Sequence, residues 1–283
     1  MISEVNGSRL FYVREGQGPE NLLLFHGFGQ DHSVFLSLAK ALSSRYTCYV
    51  FDLYFHGESV WQRNEQPLEK EDWKKIMALF LEENQLQKFS LAGFSLGSKL
   101  ALATLEAFPE RTTEIFLLAP DGIKTSFWYS LATYPHLFRK LFKSMILHPR
   151  RFFSLASTLQ TAGLLDKGLL RFAGSQMNSE EKRKRVYLTW VAFRHLKFDL
   201  EKLASTINHH RISTTLVTGK FDKVIRSENM AGLIRHLQHH QSTVIDTGHN
   251  GLLTHSTVFD VMNKTYADGH QHSKNQGDIP GSA

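Results

Sequence analysis

The stretch KFSLAGFSLGSKLA, at residues 88–101, constrains the fold of this 283-residue chain more than any other. Its first half is a short apolar run typical of a buried strand, and its second half is typical of the start of a helix. Ser95 lies at the turn between them, flanked by Gly93 and Gly97. Glycines on both sides leave room for a strained bend that lifts the serine hydroxyl above the edge of a sheet. The pattern G-x-S-x-G is short, so a glycine-rich turn with a chance serine is the alternative interpretation.

Strand-like and helix-like segments alternate on both sides of this stretch. The sequence predicts strands at residues 2–6, 9–14, 21–25, 46–53, 114–119, 212–218 and 242–245, and helices at residues 33–43, 69–84, 229–237 and 258–266. The turn residues Asn6 and Gly7 predict that the first two strands form a hairpin. Repeated alternation predicts an α/β fold with a doubly wound, mostly parallel sheet.

The alternation stops between residues 123 and 206, where apolar residues recur at helical spacing. We expect a helical insertion there, in a single core formed by residues 1–122 and 207–267. Residues 268–283 are polar and contain no aromatic side chain, which predicts a disordered tail.

The chain is basic, with a formal net charge of +6 at pH 7. Two clusters in the expected insertion carry much of the excess, at residues 139–151 and 182–185. Such clusters are most often solvated helix faces, and an anionic substrate or weak contact with a membrane surface are the alternatives. No nucleic-acid-binding motif accompanies the charge, so we expect no nucleic-acid partner.

Cys48 is the single cysteine of the chain and cannot form an internal disulfide. It lies in an apolar run, which favours a small buried hydrophobe over a nucleophile. The sequence has neither a signal-peptide pattern nor an apolar run long enough to be a transmembrane segment. We therefore expect a soluble, cytoplasmic protein, whose oligomeric state the sequence leaves open.

A serine nucleophile needs a base that accepts its proton, and the base needs an acid that fixes its tautomer. Asp222, in GKFD, and His249, in TGHN, each follow a predicted strand. Because the carboxyl ends of parallel strands meet at one edge of a sheet, both are expected close to Ser95. Asp121, after the preceding strand, is a rival acid, and His255 is a weaker rival base. The chain order serine, acid, histidine favours Asp222 and His249.

Acyl chemistry also needs hydrogen-bond donors for the negative charge that develops on the carbonyl oxygen. The main-chain amide of Leu96 follows the serine at the predicted helix start and is one candidate. The amide of Phe28, in HGFG, is the second, although this segment also fits an ordinary glycine turn. The chemistry calls for neither a metal nor an organic cofactor.

The segments HGFG, DLYFHGES, GFSLG, GKFD and GHN, in this order, resemble the α/β-hydrolase fold family from residue 21 to about residue 266. The resemblance implies a sheet of about eight strands and a helical cap at residues 123–206. It also implies that Asp52, His56 and Gly57 shape the loop beside the oxyanion hole. Family members with an aspartate at the turn act on epoxides or carbon–halogen bonds, whereas Ser95 fits attack on an acyl carbon.

We therefore expect a serine hydrolase that cleaves a carboxylic ester, in preference to a thioester or amide, through an acyl-enzyme. The alternatives are a carbon–carbon bond hydrolase or lyase with the same three residues, and a non-catalytic ligand-binding module. The expected partner is a small acyl substrate, either apolar or anionic. Aromatic residues of the insertion supply either a pocket roof or the insertion's own core, namely Phe127, Trp128, Tyr129, Phe138, Phe142, Phe152 and Phe153.

Overall fold

The computed structural model describes residues 1–124, 127–161, 174 and 177–264. The predicted tail at residues 268–283 lies outside this range. Strands of the described residues are β1 (Ile2–Val5), β2 (Ser8–Glu15), β3 (Glu20–Phe25), β4 (Tyr46–Phe51), β5 (Phe89–Phe94), β6 (Thr112–Leu118), β7 (Ser213–Gly219) and β8 (Gln241–Ile245). They form one eight-stranded sheet in the order β1-β2-β4-β3-β5-β6-β7-β8.

The sheet is antiparallel at one edge and parallel elsewhere. β1 and β2 form the predicted hairpin, and β2 also pairs antiparallel with β4. From β4 through β3 to β8 every neighbouring pair is parallel. The doubly wound, mostly parallel sheet predicted from the sequence is confirmed.

Helices of the described residues cover both faces of the sheet. They are α1 (Leu36–Ala41), α2 (Lys70–Glu83), α3 (Gly97–Ala107), α4 (Phe127–Thr133), α5 (His136–Leu147), α6 (Pro149–Thr161), α7 (Glu180–Ala192), α8 (Leu200–His209), α9 (Ala231–Ile234) and α10 (Ser256–Asn263). Helices α2, α3 and α8 contribute to the apolar core on one face, and α1 and α10 to the core on the other.

Strand β3 shows why the central strands contain continuous apolar runs, here Leu22 to Phe25. Leu23 and Phe25 lie in the core beneath α2 and α3, whereas Leu22 and Leu24 lie in the core beneath α1 and α10. Successive side chains of a strand point to opposite faces, so a strand covered on both faces buries every residue. Cys48 is likewise buried in β4, in agreement with its interpretation as a small hydrophobe.

The predicted helices agree with the structure to different degrees. The helix predicted at 69–84 is confirmed as α2, which buries Trp73, Ile76, Met77, Phe80 and Leu81. The helix predicted at 33–43 begins as a 3₁₀ turn, His32–Phe35, before α1. The helix predicted at 229–237 is too long, because the chain forms a 3₁₀ turn, Ser227–Met230, and only the short α9. Gly232, a poor helix former, lies inside α9.

Helices α4 to α7 lie between β6 and β7 in the chain, as the expected insertion requires, and the described residues of 123–206 contain no strand. Phe142 and Ile146 of α5 pack with Tyr187 and Val191 of α7 in a small apolar cluster. The predicted boundary at residue 206 falls inside α8, and Leu203, Ala204 and Ile207 of that helix belong to the main core.

The aromatic residues of the insertion have different environments. Phe142 is buried in the small α5–α7 cluster and Phe152 packs against it, whereas Phe138 and Phe153 are exposed. The Tyr129 hydroxyl donates to the carbonyl of Trp190. The side chains of Phe127 and Trp128 lie outside the described part of the structure. None of the helices in the described residues is long and apolar enough to cross a bilayer.

Candidate active site

Ser95 occupies a sharp turn between β5 and α3. Its φ of +49° lies in the left-handed region that residues with a side chain seldom adopt. The main chain holds this conformation, since the Ser95 amide donates to the carbonyl of Leu118 at 2.9 Å. The Ser95 carbonyl accepts from the amides of Ser98 and Asp121, each at 3.0 Å. The strained turn is therefore fixed to both α3 and the end of β6.

The two glycines of G-x-S-x-G are required by close approach of the backbone. A Cβ on Gly97 would lie 2.0 Å from the carbonyl oxygen of Phe25, and one on Gly93 would lie 2.5 Å from the Cα of Ser98. No such contact is tolerable, so only glycine lets α3 begin this close to β5 and to the end of β3. The same contacts place Gly97, the residue after Leu96, against the end of β3 and the carbonyl of His26.

His249 lies between Ser95 and Asp222. The Nε2 atom of His249 is 3.0 Å from Ser95 Oγ, and its Nδ1 atom is 2.6 Å from Asp222 Oδ2. A carboxylate only accepts hydrogen bonds, so Nδ1 carries the proton and Nε2 of the neutral ring accepts from the serine hydroxyl. This is the tautomer that general-base catalysis requires. The ring of Phe94 packs on the imidazole with centroids 4.9 Å apart.

The Asp222 carboxylate is buried and held in place by the main chain of its own loop. Its Oδ1 atom accepts from the amides of Val224 and Ile225, each at 2.8 Å. These bonds occupy one oxygen and direct the other to His249. The loop follows β7, His249 follows β8 and Ser95 follows β5, so all three side chains lie at the carboxyl edge of the parallel strands.

The rival residues have other partners. The Asp121 carboxylate lies 3.3 Å from the Nζ atom of Lys99, a buried lysine of α3. The Lys99 ammonium also lies over the Tyr129 ring, 4.4 Å from its centroid. His255 accepts through Nδ1 from the amide of Thr257 and caps α10. Neither rival side chain hydrogen-bonds to Ser95 Oγ or to the His249 imidazole in the described residues.

The HGFG segment presents one unused main-chain donor. The Gly27 amide donates to Gln30 Oε1, and the Gly29 amide donates to His56 Nε2, both at 2.9 Å. The amide between them, on Phe28, has no acceptor among the described residues, and neither has the amide of Leu96. Two unoccupied main-chain donors, one on the residue after the candidate nucleophile and one in the HGFG segment, are what an oxyanion hole requires.

Two neutral histidines support this segment. His26 donates through Nδ1 to the Gly27 carbonyl and accepts at Nε2 from the Leu53 amide. His56 donates through Nδ1 to the Tyr54 carbonyl and accepts at Nε2 from Gly29. Burial lowers the pKa of His26 to about 3 and that of His56 to about 4. A second proton on either ring would face an N–H donor, so the neutral form is built into the fold.

The carboxylate of Asp52 fixes the loop that carries His56. It accepts from the His32 amide at 2.6 Å and from the Glu58 amide at 2.8 Å. Gly57 has φ +49°, and a Cβ there would lie 2.0 Å from Asp52 Oδ2. The family resemblance assigned Asp52, His56 and Gly57 to this loop, but sequence reasoning missed His26 and His32, which bond to Leu53 and Asp52, far away in the chain.

The buried histidines predict loss of stability in acid. Above pH 6.5, their ordinary pKa, the folded and unfolded chains both hold them neutral. Below it the unfolded chain takes up protons that the folded chain excludes, so the free energy of unfolding falls as the pH falls toward 4. Each imidazole contributes a slope of about 1 kcal/mol per pH unit. Urea unfolding between pH 7 and pH 5 measures this slope.

The matched variant for this measurement is His56→Gln, whose amide oxygen accepts from Gly29 but does not titrate. The slope of its unfolding free energy between pH 7 and pH 5 should be lower than that of the wild type by about 1 kcal/mol per pH unit. An identical slope would show that His56 does not resist protonation in the folded state.

The described residues contain no group of three or more His, Cys, Asp or Glu side chains placed to hold a metal ion.

Comparison with known proteins gives the same fold. The model of the alpha/beta hydrolase fold family matches residues 20–256. An alpha/beta hydrolase from a Medee basin deep-sea metagenome library has a TM-score of 0.67 at 15% identity, with 96% of this chain and 100% of that chain covered. A thermophilic esterase from Thermogutta terrifontis has a TM-score of 0.65 at 20% identity, with 92% and 94% covered.

Curated relatives match over shorter stretches. The dihydrolipoyllysine-residue acetyltransferase component of the acetoin cleaving system of Cupriavidus necator is 30% identical over 121 residues, which cover 43% of this chain and 32% of that protein. The pimeloyl-[acyl-carrier protein] methyl ester esterase of Aliivibrio salmonicida is 28% identical over 110 residues, 39% of each. The chain spans about a third of the length of the first curated relatives it matches. The family model matches most of the chain, and the sheet, the turn at Ser95 and the loops of the site lie in the expected places. The chain therefore belongs to the alpha/beta hydrolase fold family.

Proposed function

We propose that the protein is a serine hydrolase that cleaves carboxylic esters through an acyl-enzyme. The observation that carries the proposal is the continuous hydrogen-bonded series from Ser95 Oγ to His249 Nε2 and from His249 Nδ1 to Asp222 Oδ2, at 3.0 and 2.6 Å. This series supplies a nucleophile, a base and an orienting acid in one place. Relatives named as an esterase and as an acetyltransferase component are consistent with acyl chemistry.

The proposed reaction begins with attack of Ser95 Oγ on the ester carbonyl while its proton moves to His249 Nε2. Asp222 stabilises the imidazolium that forms, and the amides of Phe28 and Leu96 hold the oxyanion. His249 then donates its proton to the departing alcohol, which leaves an acyl group on Ser95. Water attacks this ester with His249 again as base, and the acid product and free Ser95 are released.

We further propose that helices α4 to α7 form a cap beside the site. The supporting observation is Phe28, whose side chain packs both against the main core and against the small α5–α7 cluster. The residue proposed to supply one oxyanion donor therefore also contacts the insertion. The insertion is fixed to the core by Lys143 of α5, 2.5 Å from Glu65, and by Tyr187 of α7, which donates to the same carboxylate.

The environments of the basic side chains in the insertion favour an uncharged ester over an anionic one as the substrate. The Lys143 ammonium is paired with Glu65, and the Arg139 guanidinium donates to the carbonyl of Thr133. Arg150 is exposed on α6. Because the cations that favoured an anionic substrate have other partners or face solvent, we propose a neutral acyl group as the substrate class.

A fluorophosphonate probe tests the nucleophile without requiring the natural substrate. We expect one equivalent to modify the wild-type protein at Ser95, because the adduct mimics the tetrahedral intermediate held by the same amides. Peptide mass spectrometry locates the adduct. The matched control is Ser98→Ala, which removes a nearby buried hydroxyl that donates to the Gly93 carbonyl and should leave labelling intact. Labelling that persists in Ser95→Ala would refute the assignment.

A further inference from the structure

Helices α5 and α6 expose a concentration of large apolar side chains. Of the nine such side chains exposed in the described residues, five belong to this pair of helices, namely Leu137, Phe138, Leu141, Leu147 and Phe153. Leu137 is 74% exposed and Leu147 is 59% exposed. Single exposed leucines are ordinary, but a cluster of them marks an interaction surface.

Packing of α5 within the protein does not account for these side chains. The helix buries Phe142 and Ile146 against α7, and this face holds it in the small apolar cluster. Leu137 and Leu141 are one helical turn apart and therefore lie together on α5, on a face that points away from the one that carries Phe142 and Ile146. That second apolar face is exposed to solvent.

The same segment is strongly basic. Between Asp121 and Asp166 the sequence has six Lys or Arg residues and no Asp or Glu. Lys140 and Arg150 are exposed and make no ion pair with any residue that the structure describes. Charge without a counter-ion in the protein attracts an anionic partner.

The second basic cluster of the chain, at residues 182–185, has counter-ions within its own helix. Lys184 and Arg185 of α7 pair with Glu180 and Glu181 one helical turn earlier. Two of its four cations are therefore paired within the helix, as in an ordinary solvated face, whereas only Lys143 of the five cations at residues 139–151 is in an ion pair among the described residues. Of the two clusters, the one on α5 and α6 therefore carries the larger uncompensated charge.

The cations and the apolar side chains share one surface. The Arg151 guanidinium donates to the hydroxyl of Ser144 and so holds the start of α6 beside the last turns of α5. We define the α5–α6 surface as the exposed side chains of Leu137, Lys140, Leu141, Leu147, Arg150, Arg151 and Phe153.

We propose that the α5–α6 surface docks the protein on an anionic lipid bilayer. Leucine and phenylalanine side chains interleaved with lysine and arginine are the composition of helices that lie in a membrane interface. The apolar groups enter the boundary between headgroups and acyl chains, while the cations contact anionic headgroups. A soluble acidic protein would use the cations but leave the leucines exposed, and a symmetric contact with a second copy would oppose cation to cation. The proposal is independent of the catalytic function.

Co-sedimentation of the full chain with vesicles tests the proposal without any turnover. We expect binding to phosphatidylcholine vesicles that contain about 30% phosphatidylglycerol, at least about tenfold tighter than to phosphatidylcholine alone, and weakened by salt. Lys140→Gln with Arg150→Gln should weaken binding about 25-fold, since each cation near an anionic surface contributes roughly a fivefold factor. Leu137→Ser with Leu141→Ser should weaken it by about tenfold or more.

The matched control is Lys74→Gln with Lys75→Gln, which removes the same charge from exposed positions of α2. It should change vesicle binding by less than about twofold, because α2 lies outside the docking surface. Four outcomes would overturn the proposal: no binding to anionic vesicles, an equal loss in the control, full binding by the leucine variant, or a dimer in light scattering that the leucine variant abolishes.

Discussion

Ser95→Ala is expected to lower kcat for a nitrophenyl ester by about five to six orders of magnitude, with KM little changed. The substitution removes the atom that would form the acyl-enzyme, while the proposed oxyanion donors are main-chain amides that stay in place. Alanine has the same Cβ as serine, so the left-handed turn at φ +49° acquires no new strain. Steady-state kinetics and thermal unfolding, measured together, separate loss of chemistry from loss of fold.

Ser98→Ala is the matched control for this loss. Ser98 is buried three residues further on, and its hydroxyl donates to the Gly93 carbonyl at 2.9 Å. Removing that bond should reduce the free energy of unfolding by about 1 kcal/mol and leave kcat within a fewfold of the wild type. Retention of more than about a thousandth of the wild-type kcat in Ser95→Ala would contradict a serine nucleophile.

Asp222→Asn is expected to lower kcat by about four orders of magnitude. Its Oδ1 atom can still accept from the amides of Val224 and Ile225, so the loop should keep its shape. The amide nitrogen, however, would face His249 Nδ1 as a donor and move the ring proton to Nε2. A protonated Nε2 cannot accept from Ser95, so the nucleophile loses its base.

Asp121→Asn distinguishes the two acids. Asp121 pairs with Lys99 and not with His249, so we expect kcat of Asp121→Asn to stay within about tenfold of the wild type. The free energy of unfolding should fall by about 2 kcal/mol, because a buried ammonium loses its carboxylate. Urea unfolding and ester kinetics on the two variants give the comparison. A greater loss of kcat in Asp121→Asn than in Asp222→Asn would reverse the assignment of the acid.

The spacing of apolar residues was sufficient to predict the elements in which buried positions recur regularly. The apolar run of β3 and the helical spacing of α2 predicted both elements, because β3 is covered on both faces and α2 on one. The spacing of apolar residues did not predict the bounds of helices where several weak local preferences compete. Gly232 shortens α9, and Asp31, whose carboxylate caps the amide of Ser33, begins the segment before α1 as a 3₁₀ turn.

The candidate site was predictable where a residue follows a strand. Ser95, Asp222 and His249 each stand just beyond a β-strand, and topology then brings them to one edge of the sheet. The buried partners of the neighbouring loops were not predictable in this way. The pairing of Lys99 with Asp121 and the support of the HGFG segment by His26 depend on side-chain contacts that no local spacing reveals.

The exposure of the α5–α6 surface was also not predicted from the sequence. The sequence shows an amphipathic α5, but it does not show that the apolar arc is wider than the face that α7 covers. Phe142 is buried and Phe138, one turn earlier, is exposed, although the two residues are identical in type and lie on one helix. Only the packing partner distinguishes them.

The covalent intermediate offers the most direct test of the central claim that Ser95 carries the acyl group. The protein is mixed with a nitrophenyl ester, quenched in acid within the first turnovers and analysed by peptide mass spectrometry. We predict an acyl adduct on the peptide that contains Ser95, accumulating when deacylation is slower than acylation and absent from Ser95→Ala. Ester turnover by the wild type with the acyl group on another residue, or undiminished turnover by Ser95→Ala, would contradict the account.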